Sequence, residues 1–133
     1  MRQEVESESG DAKDGWLQMC GPEIFNFTLA RVPDSIEKLE KQAGINRDDV
    51  DLFVFHQANG FMLEHLRKKL KIDEDRFFVY VETCGNTVSS TIPIALFEAE
   101  KQGVLRDGMR VMLVGFGVGL SWGCTLVQWG TSV

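Results

Sequence analysis

The run Val54-Phe55-His56-Gln57-Ala58-Asn59 constrains this chain most: an apolar, β-prone stretch breaks off on a histidine, and Asn59 can cap a helix directly after it. Thirty positions beyond His56, Cys84-Gly85-Asn86-Thr87 marks a second place where a strand, expected over Phe77–Val81, gives way to a helix. In an open α/β sheet, ligands bind beyond the carboxyl ends of the strands. If the two strands are neighbours, His56 and Asn86 reach one edge together. An imidazole and a side-chain amide both donate hydrogen bonds, so the pair suits an oxygen that gains negative charge during a reaction. Taken singly, each residue has a plainer role, the histidine as a structural strand end and Asn86 as a turn residue. Their equivalent positions after consecutive strands favour a site.

The remaining pattern builds the sheet around them. Residues 1–14 carry five acidic side chains and almost nothing apolar, so a flexible acidic segment is expected there, with the folded domain over 15–133. Trp16–Met19 reads as a short strand. Phe25, Leu29, Val32, Ile36, Leu39 and Ala43 draw one apolar stripe down a helix that Gly44 ends. Pro33 falls inside that stripe and predicts a kinked helix or two abutting ones. Val50–Phe55 is a strand, and Met62, Leu63, Leu66 and Leu70 share the face of the helix that follows. Ser89 and Ser90 offer caps, Pro93 suits a first turn, and the helix runs on to Gln102. Arg110–Gly115 reads as a strand buried on both faces, and Thr125–Trp129 as the last strand, joined to it by a glycine-rich loop and therefore antiparallel. The fold expected is α/β, a mixed five-stranded sheet layered with helices.

Composition excludes several functions. Twenty acidic against fourteen basic residues give a net charge of −6, which disfavours nucleic acid and anionic membrane as partners. No apolar stretch approaches the ~20 residues needed to span a bilayer, and the first fifteen residues hold no signal-peptide core, so a cytoplasmic location is expected. Cys20, Cys84 and Cys124 are scattered without metal-ligand spacing, which supports neither a zinc site nor a disulfide framework. Cys84 has no basic neighbour or helix start to lower its pKa, so it makes a poor nucleophile. Gly115-Phe116-Gly117-Val118-Gly119 follows a strand but precedes another strand, so no helix N-terminus is offered to a phosphate. Its glycines suit close approach of backbone N–H groups to a substrate.

His56-Gln57-Ala58-Asn59, Gly85-Asn86-Thr87 and Gly115 to Gly123, in this order and at these separations, resemble the C-terminal half of a β-ketoacyl-acyl carrier protein synthase III, a condensing enzyme of the thiolase fold. The resemblance runs from about Trp16 to Trp129 and includes Gly21-Pro22-Glu23-Ile24-Phe25 before the long helix. It implies that His56 and Asn86 are two of three catalytic residues, the third being a cysteine in an N-terminal half that is missing here. None of the three cysteines matches it, so the chain alone is expected to be inactive. The implied reaction is a decarboxylative Claisen condensation of an acyl-coenzyme A with a malonyl thioester carried by acyl carrier protein. No cofactor is implied beyond the coenzyme A esters themselves.

By the same resemblance, the backbone N–H of Val118 joins the acyl-thioester oxyanion hole, where relatives usually carry glycine, and Gly21, Ile24 and Phe25 line a pantetheine tunnel. Gly60-Phe61 departs from the apolar-arginine pair that many relatives use to dock the carrier protein. A different acceptor is therefore one alternative, and a non-catalytic partner subunit is another. Since the two halves of the fold resemble each other, a homodimer is also expected.

Overall fold

The computed structural model describes residues 19–117 and 119–130. The acidic segment 1–14 and the first three residues of the strand expected at Trp16–Met19 lie outside these; Met19 itself is irregular. Helix α1 (Gly21–Ala43) starts with Pro22 in its first turn, where the missing N–H costs nothing. Gly44 ends it in the left-handed conformation at φ 66°, its N–H returning to the Glu40 carbonyl.

The helix runs through Pro33 as one element rather than two abutting ones. Pro33 cannot donate to the Leu29 carbonyl one turn back. Lys69 Nζ donates to that carbonyl at 2.7 Å instead, so a side chain from the neighbouring helix satisfies the group the proline leaves free. Val32 and Ile36 of the expected stripe are fully buried, whereas Ala43, the last residue of the helix, is exposed.

Strand β1 (Leu52–Phe55) is buried along its whole length and leads into helix α2 (Gly60–Leu70). Asn59 caps α2 as expected, its Oδ1 accepting the Met62 N–H at 2.8 Å. Strand β2 is much shorter than the expected Phe77–Val81: only Phe77–Phe78 pairs with β1. Beyond it the chain turns into the four-residue helix α3 (Val81–Cys84), a single turn at Val88–Ser90 and helix α4 (Thr91–Lys101), with Pro93 in the first turn. Strands β3 (Arg110–Gly117) and β4 (Ser121–Gln128) complete the described elements, and β4 begins four residues earlier than its sequence predicts.

Among the described residues the sheet has four strands, in the order β2-β1-β3-β4. The β1–β2 and β1–β3 pairs are parallel and the β3–β4 pair is antiparallel, as the connections require. Alternation along β1 sends Phe53 and Phe55 to one face and Leu52 and Val54 to the other. The first face packs on Val32 and Ile36 of α1 and on Met62, Leu63 and Leu66 of α2. The second packs on Ala95 and Ala99 of α4. Helices on both faces leave the carboxyl ends of β1 and β3 as an open edge.

Candidate functional site

The open edge begins at His56, one residue past β1. Its backbone N–H still bonds the Val114 carbonyl at 2.7 Å, so the sheet holds the main chain where the side chain starts. The half-buried ring stands edge-on to Phe116, with centroids 5.4 Å apart, and Nδ1 lies 2.6 Å from the Thr91 hydroxyl. Burial holds the imidazole below its usual pKa, because an apolar wall disfavours the charged form.

Gln57, the next residue, is fully buried and uses its whole hydrogen-bonding capacity. Its Nε2 donates to the Phe55 and Phe78 carbonyls at 2.8 and 3.3 Å, and its Oε1 accepts the Tyr80 and Val81 N–H groups at 2.7 and 3.1 Å. One side-chain amide thus replaces the backbone ladder just past Phe78. This is the physical reason that β2 stops short and α3 starts: Tyr80 has no capping side chain, and Gln57 supplies the acceptor from across the sheet.

The segment so anchored carries Asn86. Its Oδ1 accepts the Val88 N–H at 2.9 Å, and Val88, a β-branched residue, sits at φ 57°. Such a conformation costs on the order of 1–3 kcal/mol and persists where surrounding structure imposes it. With the oxygen engaged, the Asn86 Nδ2 hydrogens have no protein acceptor among the described residues, and the same holds for His56 Nε2.

Two clefts of about 640 and 230 Å³ open here, and His56 and Asn86 line both. Apart from His56 itself, no described residue lining either one is ionisable, so no neighbouring charge competes for a hydrogen bond offered there. Gly115, Gly117 and Gly123 form part of the larger wall, and a Cβ added to any of them would meet nothing within 4 Å. Exposed Met19, Val88 and Trp122 give this wall an apolar rim.

Of the residues expected in the tunnel, Gly21 and Ile24 line the smaller cleft. Phe25 does not; it packs on Phe61 and His65, with ring centroids 5.6 and 5.5 Å away. Val118 lies outside the described residues. Cys84 is half-buried at the end of α3, its thiol near the Tyr80 and Gly85 carbonyls, and none of the three cysteines lines either cleft. Gln57 and Thr91 were missed by sequence reasoning as parts of the site. A polar residue trapped between a buried strand and a helix cap was the available signal for Gln57; Thr91, in a run of small polar residues, offered none.

Comparison with known proteins bears on the family and the fold. Residues 40–129 match the family described as 3-oxoacyl-[acyl-carrier-protein (ACP)] synthase III C terminal. The chain is 38% identical over 129 residues to the β-ketoacyl-[acyl-carrier-protein] synthase III of Clostridium tetani, covering 97% of this chain and 39% of that protein. It is 44% identical to that of Synechococcus elongatus over 117 residues, covering 88% and 35%. A crystal structure of a 3-oxoacyl-(acyl-carrier-protein) synthase III superposes with a TM-score of 0.86 at 51% identity, over 96% of this chain and 38% of that one. The Thermus thermophilus enzyme gives 0.84 at 36% identity, over 91% and 38%. The chain therefore spans less than two fifths of the length of these relatives. Its mixed α/β sheet is that of a thiolase-like half, and the chain belongs to the C-terminal domain family of the 3-oxoacyl-[acyl-carrier-protein] synthases III.

Proposed function

We propose that this chain is the enolate-stabilising part of a β-ketoacyl-acyl carrier protein synthase III acting in cytoplasmic fatty acid biosynthesis. One observation carries the reading: His56 and Asn86 line the same clefts, each anchored through one polar atom and each with a side-chain nitrogen that has no partner among the described residues. In the proposed reaction an acyl group passes from acyl-coenzyme A to a cysteine of the N-terminal half. The carboxylate of a malonyl thioester then leaves as carbon dioxide, and the electron pair of the broken carbon–carbon bond spreads onto the thioester oxygen. His56 Nε2–H and the Asn86 amide donate to that oxygen as its charge grows. The carbanion attacks the acyl carbon and expels the cysteine thiolate. Each such donor lowers the barrier by roughly 2.7–4 kcal/mol.

The backbone N–H of Val118 is assigned to the other oxyanion hole, at the acyl thioester, and Gly21 and Ile24, which line the smaller cleft, to the pantetheine arm. The acceptor is the less constrained partner. Phe61 stands exposed against His65 at the position where many relatives place a carrier-binding arginine, which favours a second reading with an acceptor other than acyl carrier protein. The test uses the complete enzyme. His56→Ala or Asn86→Ala should slow malonyl decarboxylation by roughly a hundredfold or more while cysteine acylation proceeds. Acylation falling as steeply as decarboxylation would place His56 on the nucleophile and refute the assignment.

A further inference from the structure

The oxyanion reading needs a proton on His56 Nε2, and a neutral imidazole carries only one ring proton. Which nitrogen holds it is decided by the partner of the other. That partner is Thr91, the first residue of α4, whose side chain is buried. Its Oγ1 lies 2.6 Å from His56 Nδ1 and 3.1 Å from the Val88 carbonyl. The hydroxyl has one hydrogen for these two acceptors.

If it went to Val88, Nδ1 would have to carry the ring proton and donate to Oγ1, and Nε2 would present a lone pair to the cleft. An enolate oxygen would then meet an acceptor where it needs a donor. Two observations favour the opposite arrangement. The Thr91 hydroxyl is the one partner of Nδ1 among the described residues, and the Val88 carbonyl already accepts the Thr91 backbone N–H and so is satisfied without it. The hydroxyl is therefore free to donate to Nδ1.

We propose that Thr91 is the positioning residue that keeps His56 in its Nε2–H tautomer, aimed into the cleft. Val88 links this to the second donor. In its left-handed conformation its N–H holds the Asn86 oxygen while its carbonyl lies beside Thr91, so the segment 86–91 orients both groups. The chemical consequence rests on the oxyanion reading of His56, whereas the tautomer itself is measurable without any reaction.

Long-range proton–nitrogen spectra of the chain labelled with nitrogen-15 histidine read the tautomer directly. The chain has only two histidines, and His65→Gln assigns the signals. The expected spectrum shows a pyrrole-type nitrogen at Nε2 and a pyridine-type nitrogen at Nδ1 of His56. Thr91→Ser should keep that pattern, and Thr91→Val, which keeps the shape and loses the hydroxyl, should collapse it to a tautomer mixture. A wild-type proton on Nδ1 overturns the proposal, as does an unchanged tautomer in folded Thr91→Val; where that variant fails to fold, the wild-type spectrum decides. In the complete enzyme Thr91→Val should lower decarboxylation on the order of tenfold or more with acylation unaffected, and Thr91→Ser should restore it. The two readings fail separately. An Nε2–H tautomer with a fully active His56→Ala enzyme sinks the oxyanion assignment alone, whereas an Nε2–H tautomer that persists in folded Thr91→Val, with an inactive His56→Ala enzyme, sinks the role of Thr91 alone.

Discussion

Replacing Gln57 by leucine nearly conserves volume but removes four hydrogen bonds at the junction between β1 and the segment that bears Asn86. The costly part is the two N–H groups of Tyr80 and Val81. They stand at the start of α3, a helix of four residues, and Gln57 Oε1 is the acceptor of both. A buried donor left without a partner costs about 1–3 kcal/mol, so the pair should cost about 2–6 kcal/mol. Domains of ordinary stability have only about 5–15 kcal/mol in total. With a urea slope of about 2 kcal/mol per molar, the unfolding midpoint should fall by roughly 1–3 M. Hydrogen exchange adds the local readout: the Tyr80 and Val81 amides should lose protection ahead of the core strands. A midpoint within about 0.3 M of wild type, with both amides still protected, would refute the view that one side chain organises this junction.

Three other outcomes are expected. Because burial lowers the His56 pKa below 6.5, the unfolded chain takes up its proton at a higher pH than the folded chain; the contribution to stability is complete above 6.5 and is lost as pH falls from there toward the folded value. Urea midpoints should therefore drop between about pH 7.5 and 5.5, less so in His56→Asn, and Glu64, held at about 2 by Arg67 and Lys68, titrates below this window. Incubation with acetyl-coenzyme A should leave the intact mass of the chain unchanged, and a stoichiometric adduct on Cys84 would contradict the assignment of the nucleophile to another half. The isolated chain should sediment as a dimer at micromolar concentration, since Val88, Phe61 and Phe97 are 74%, 66% and 63% exposed and a stable pairing needs only ~1,200–2,000 Å² of buried surface. A single monomeric species would count against it.

Much of the fold was legible from local pattern. The apolar run ending at His56, the stripe Met62-Leu63-Leu66-Leu70 and the cap at Asn59 are properties of neighbouring residues, and each appears where periodicity and capping chemistry require. The strand directions follow from the lengths of the connections. The candidate pair His56 and Asn86 was legible for the same reason, since each stands at the end of a strand-to-helix pattern. Other features have causes distant in sequence. Pro33 leaves the Leu29 carbonyl without its helical donor, and Lys69, thirty-six positions from the proline, donates to it. Phe77–Val81 has the residues of a strand, yet Gln57 captures its N–H groups after two paired positions. The resemblance implies a tunnel role for Phe25, and Phe61 and His65 draw it into a separate aromatic cluster. By itself, then, the sequence determined which elements form and which ends of them carry polar groups, because hydrophobic period and capping act within a turn or two of chain. Only the tertiary structure decided which hydrogen-bond partner each polar group meets, because those partners lie twenty to forty residues apart and approach one another only when the layers pack.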